Sequence, residues 1–188
     1  MMAENPTGRS YGVLYLIGPD RVGILHEAAS FVSQRGGRIE EGISHTLSTE
    51  AAIVLYISGT PPQLEQIKQA TQRLGEGLEM LAIYTGIAAA DPARDRDALP
   101  LTLRISSPDF SGLLTAVTRF FTKYGLSIID HHLHKSILPH SNGMVTYRHK
   151  FTVLLPPEFK RKQFLAELDE LAEKESFIRD DISHSDFY

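Results

Sequence analysis

The stretch Gly18–Gly42, GPDRVGILHEAASFVSQRGGRIEEG, closes one apolar run and opens the next. It begins with Pro-Asp-x-x-Gly, continues as an amphipathic segment and stops at a double glycine. Ser107–Asp130, SPDFSGLLTAVTRFFTKYGLSIID, repeats that order. Asp20 and Asp109 stand 89 positions apart. The same offset, held without gaps, brings Pro19 onto Pro108, Gly23 onto Gly112, Leu25 onto Leu114, Phe31 onto Phe120, Gly36 onto Gly125 and Ile39 onto Ile128. Ile24 meets Leu113 and Glu41 meets Asp130 as near matches. The coinciding residues are turn and core types, the ones that set a fold. A period this long is a whole small domain rather than a solenoid unit.

Each copy reads the same way. Tyr11–Ile17 is an apolar run of strand length. Ile24, Leu25, Ala28, Ala29, Phe31 and Val32 then fall at helical spacing, which Gly36 ends. From Arg38 to Leu47, alternation puts Ile39, Ile43 and Leu47 on one side of a strand, and Ala51–Ser58 is its hairpin partner. Pro61 and Pro62 open a second helix with Leu64, Ile67, Thr71 and Leu74 along one face, since proline suits a first helical turn. A strand over Leu78–Ala88 completes the copy. The second copy gives strands at Leu101–Ile105, Leu126–Leu138, Met144–Leu155 and Phe177–Ile182. Its helices follow Gly112 and Pro157, and Asn142-Gly143 closes its hairpin. The order β-α-β-β-α-β predicts an α+β protein of two ferredoxin-like units in tandem, each an antiparallel sheet with helices on one face. The boundaries are 1–90 and 100–188, with the small, charged, proline-bounded segment 91–99 as linker.

Composition narrows the function. Of 188 residues, 42% are hydrophobic and 22% charged, an ordinary globular balance. A net charge of -4 offers no global basic footprint for nucleic acid. The absence of cysteine removes disulfides and thiol chemistry. The first ten residues, MMAENPTGRS, lack the basic-then-apolar order of a signal peptide, and no apolar run reaches the roughly 20 residues of a membrane span. A soluble protein of the cytoplasm is the expectation, with an organelle address left open.

The repeated loop leads from a strand into a helix, so its amides lie at a helix N-terminus. They carry partial positive charge and suit a carboxylate. Gly23 and Gly112 allow close approach to the backbone, and Asp20 and Asp109 could accept from an ammonium group. Together these features suit a free α-amino acid. A plainer reading makes each aspartate the N-cap of its helix, worth about 1 kcal/mol, and each glycine a device for packing helix on strand.

PDRVGIL (Pro19–Leu25) and the looser PDFSGLL (Pro108–Leu114) resemble the signature of ACT domains, small regulatory modules that bind amino acids. The likeness covers the first strand through the second in both copies. As a tandem pair the chain most resembles the glycine-cleavage-system transcriptional repressor group. That resemblance implies ligand contacts at Asp20, Arg21, Val22, Gly23, Ile24 and Leu25, and at Asp109, Phe110, Ser111, Gly112, Leu113 and Leu114. It adds Ile39 and Ile128, at the starts of the second strands, as residues completing the pocket. It favours glycine or serine as ligand, no cofactor, and a homodimer or a different protein as partner. The second loop lacks a basic residue after Asp109, so the first is the better candidate. An ACT module that only mediates assembly is the alternative.

A third reading comes from DHHLHK, Asp130–Lys135. His132 and His134 share a strand face, and a hairpin centred near Ser141 would bring His149 towards His134, giving three ligands for zinc. Lys160–Lys162 reads as a solvated helix start, and no helix-turn-helix appears, so direct DNA contact is not expected. No Gly-x-Ser-x-Gly, phosphate-loop or cysteine nucleophile is present, and the two repeats fill nearly the whole chain. A free-standing sensor, not an enzyme, is the expected function.

Overall fold

A computed structural model describes residues 8–87, 98–108, 112–137 and 145–184. The chain divides into two compact units, Met1–Asp91 and Pro92–Tyr188. The first contains β1 (Ser10–Pro19), α1 (Ile24–Gln34), β2 (Arg38–Leu47), β3 (Glu50–Gly59), α2 (Pro61–Leu78) and β4 (Leu81–Ile87). The second contains β5 (Leu99–Ser107), α3 (Leu113–Lys123), β6 (Ser127–Ile137), β7 (Val145–Leu155), α4 (Arg161–Glu175) and β8 (Ile178–His184). β5 therefore starts inside the segment read as linker, whose other residues lie almost wholly outside the described ones. Leu78, read as the start of a strand, is instead the last residue of α2, which Glu79 ends in a left-handed conformation. Leu138–Met144, including the Asn-Gly turn, also lie outside the described residues.

Both sheets have the same order, β2-β3-β1-β4 and β6-β7-β5-β8, and every pairing is antiparallel. The expected α+β tandem of ferredoxin-like units is the observed one. In the first unit, Leu14 and Leu16 of β1 and Ile53, Leu55 and Ile57 of β3 pack under Ile24, Ala28, Phe31 and Val32 of α1 and Leu64 and Ile67 of α2. In the second, Leu103 and Ile105 of β5 and Phe151 and Val153 of β7 pack under Leu113, Val117, Phe120 and Phe121 of α3 and Phe164 and Leu168 of α4. Each fully buried aliphatic or aromatic side chain contributes roughly 1.5–3 kcal/mol. The helices hold these positions because their apolar residues recur at 3.6-residue spacing. Gly36 and Gly125, at φ 73° and 66°, end α1 and α3 as the sequence predicts. Among the described residues, no helix is long and apolar enough to cross a membrane.

One expectation about faces is corrected. Ile39, Ile43 and Leu47 do not share a side of β2. Ile39 pairs with buried Ile57 and packs on the core, whereas Ile43 pairs with Val54 and Leu47 with Glu50, on the face without helices. A β-bulge between Ile39 and Glu41 causes the switch, because one extra residue inverts the strand's alternation. Glu40 is that residue; its carboxylate accepts a 2.5 Å bond from the buried Ser58 hydroxyl. The second unit carries a bulge at the matching place, between Ile128 and Asp130.

Candidate functional site

The loop of the first unit occupies residues 20–23, between β1 and α1. Its backbone is set by Gly23, the N-cap of α1, which sits in the left-handed region at φ 89°. Gly112 caps α3 in the same way at φ 81°. Neither cap has a side-chain hydrogen bond, whereas α2 has a full capping box between Thr60 and Gln63. The N-cap reading of Asp20 is thereby corrected: the helix begins three residues later. The packing explanation for the glycines also fails. A Cβ on Gly23 would meet only Glu27 Oε1 at 3.8 Å, and one on Gly112 would meet nothing within 4 Å. What requires glycine is the positive φ, which costs an L side chain about 1–2 kcal/mol.

Asp20 has a different task. Its amide donates to the Thr49 carbonyl at 2.8 Å, and its Oδ2 accepts from the Thr46 hydroxyl at 3.1 Å. It thus ties the end of β1 to the tip of the β2–β3 hairpin. Thr46 and Thr49 belong to the site and were missed in the sequence. The signal was there: in an antiparallel pair the end of one strand meets the start of the next, and Pro19 does pair with Glu50.

The first turn of α1 is open to solvent. Ile24 donates to the Arg21 carbonyl at 3.3 Å and Glu27 to the Gly23 carbonyl at 3.0 Å. The amides of Leu25 and His26 lie between them, in the turn where a helix offers no acceptor of its own. Ile24 is buried and anchors the helix, while Val22 is fully exposed and Leu25 is 45% exposed. The Arg21 guanidinium grips both oxygens of Glu27, at 2.6 and 2.9 Å. That bidentate bond lowers the Glu27 carboxyl below its usual range and raises Arg21. In the second unit Gly112 caps α3, Leu113 is buried and Leu114 packs against the core. Asp109, Phe110 and Ser111 lie outside the described residues.

Within one unit, Ile39 and Ile128 do not join their loops. Ile39 lies beside Ile57, whose partner on β1 is Gly12, at the opposite end of the strand from Asp20. Seven strand residues separate those ends, about 23 Å. Ile128 is displaced likewise, beside Val153 and Leu101.

The histidine trio is also divided. His132 pairs with Lys150 and His134 with Arg148, on the helix-free face. His149 pairs with Ile105 and Leu133 on the helix-covered face, where it is 2% exposed. Its near neighbour is His131, with Nε2 of His131 and Nδ1 of His149 3.1 Å apart. Both rings stack with Phe151. Burial is the larger cause that holds both below the ordinary imidazole pKa, with His132 adding to it at His131 and His131 at His149. Expecting His149 beside His134 placed the pairing one residue out of register. A shift of one inverts the face of every side chain. The described residues bring no three potential metal ligands together.

Two open concavities lie on the helix-free faces, away from residues 20–25. One, of about 630 Å³, is bounded by Arg104, Ser106, Thr146, Arg148 and Asp180. The other, of about 400 Å³, is bounded by Val13, Tyr15, Ile43, Val54 and Tyr56.

No protein-family model matches the chain, and no curated protein matches its sequence. Solved structures do match in shape. A protein proposed to be a glycine cleavage system transcriptional repressor is similar with a TM-score of 0.71 and 18% identity, covering 94% of this chain and 99% of its own. A protein of unknown function from Galdieria sulphuraria is similar with a TM-score of 0.77 and 20% identity, with the same coverage of both chains. At such identities the likeness speaks to architecture, and it embraces both units. In fold, the chain is a tandem pair of ferredoxin-like βαββαβ units.

Proposed function

We propose that the chain is a regulatory protein, without catalysis of its own, that binds a free amino acid at the β1–α1 loop of the first unit. The observation that carries this reading is the pair of glycine caps. They leave the first turns of α1 and α3 without a side-chain acceptor, while α2 is capped in full. In the first loop the Leu25 and His26 amides would receive the ligand carboxylate. Asp20, held by the hairpin with Oδ1 still available, would accept from its ammonium group. Glycine and serine, which suit an open and shallow site, are the ligands the family resemblance favours. Binding alters a partner contact only if the ligand prefers one arrangement of the protein over another. A role in amino-acid metabolism or its transcriptional control would then run through a partner protein in the cytoplasm, since the sequence carries no helix-turn-helix pattern.

A panel of the free amino acids in a thermal-melt experiment tests the proposal. A binder raises Tm with concentration, by about 2.7 kcal/mol of stabilisation at 100 times Kd. Asp20→Ala should abolish the rise. A rise that survives Asp20→Ala moves the site elsewhere.

A further inference from the structure

We propose that the helix-free face of the first unit's sheet docks a second copy of this chain, the same face meeting itself about a two-fold axis. A lone antiparallel sheet with helices on one side is expected to alternate, apolar towards the helices and polar towards water. The second unit follows this more closely: its helix-free face carries Arg104, Arg148, Lys150 and His132 beside the exposed Ile178. The first unit does not. Tyr15 stands at the position of Arg104, and Val54, opposite Tyr15, stands where Lys150 stands opposite Arg104. Ile43, Leu47 and Leu81 on this face are each at least 60% exposed. Two repeats of one chain share the fold and differ in this surface, so the fold does not dictate the apolar version. An apolar sheet face of this extent marks an interaction site.

The chemistry selects the occupant. The centre of the face, Val13, Tyr15, Val54 and Ile83, carries no charge, and the charged groups on this side, Arg38, Glu40, Glu41 and Glu50, stand on the edge strand and beside the hairpin tip. A charged peptide or nucleic acid finds no charge to pair with at that centre. An identical face matches in polarity, and two sheets of the same twist pack face to face about 10 Å apart. The 400 Å³ concavity between Val13, Ile43 and Tyr56 gives side chains of the opposing copy room to seat. Seven residues by four strands give a face about 23 Å by 19 Å. Two such faces present roughly 900 Å² in projection. Side-chain relief brings that to the lower edge of the standard interface class, about 1,200 Å².

Sedimentation of the full chain across a concentration series tests this. The expected result is a species of twice the 20.9 kDa chain mass at micromolar concentration. Thr85→Arg puts a charge on an exposed polar position of the face, opposite Val13, and should weaken the dimer at least about tenfold with an unchanged circular dichroism spectrum. Arg148→Glu, on the second unit, should leave the dimer intact. A monomer up to about 100 µM overturns the proposal, as does a dimer indifferent to Thr85→Arg. The measurement needs no amino acid, so its failure and that of the sensor reading are separate results.

Discussion

Gly23 shows how one residue can serve a site without a side chain. Its positive φ turns the chain out of β1 and starts α1 with no capping group over the amides. Gly23→Ala should cost about 1–2 kcal/mol in urea denaturation, all of it backbone strain, since the space beside it is open. Gly77 is the contrast. It sits exposed near the end of α2, with nothing within 4 Å of a Cβ and no positive φ, so Gly77→Ala should stabilise by up to about 1 kcal/mol. Glu27 is the other residue with a readable consequence. It places a carboxylate in the first turn of α1 and occupies Arg21, both to the disadvantage of an incoming carboxylate. Glu27→Gln should tighten amino-acid binding roughly two- to fivefold by calorimetry. The glycines and aspartates of this loop were legible from spacing, but the helix start was not. Asp followed by an amphipathic run is the usual cap pattern, and only the backbone dihedrals show that a glycine three residues on has taken the role.

At the scale of elements, periodicity made all twelve strands and helices visible, because apolar faces must match the core they bury. The bulges were invisible. RIEEGISHTL, Arg38–Leu47, alternates plausibly throughout, and a single inserted residue leaves no mark in composition. The sequence reading therefore placed Ile39, Ile43 and Leu47 together, and the apolar face of the first sheet escaped notice. Register likewise hid the His131–His149 pair on the covered side of β6 and β7. That pair has a consequence for pH. Both rings titrate below the ordinary imidazole value in the folded chain, so the unfolded chain binds more protons. Their contribution is present above about pH 6.5 and is lost as pH falls below it. Denaturation at pH 7.5 and 5.5 should show the second unit weakening in acid, and His149→Phe, stacked on Phe151, should flatten part of that slope.

At the scale of the whole molecule, the repeat is the organising fact. An offset of 89 residues carries Leu14 onto Leu103, Leu16 onto Ile105, Phe31 onto Phe120 and Val32 onto Phe121, and all eight are buried. The copies also diverge at Tyr15 against Arg104 on the helix-free side of the sheet, and in sequence at Arg21 and Val22 against Phe110 and Ser111. Duplication lets the first unit carry an apolar sheet face where the second carries charged side chains. Binding of a free amino acid by the first loop is tested most directly by titration calorimetry of the wild-type chain against Asp20→Ala. Saturable heat from at least one small amino acid is expected, lost in Asp20→Ala and retained in Thr85→Arg. No heat and no rise in Tm from any amino acid at millimolar concentration would contradict it.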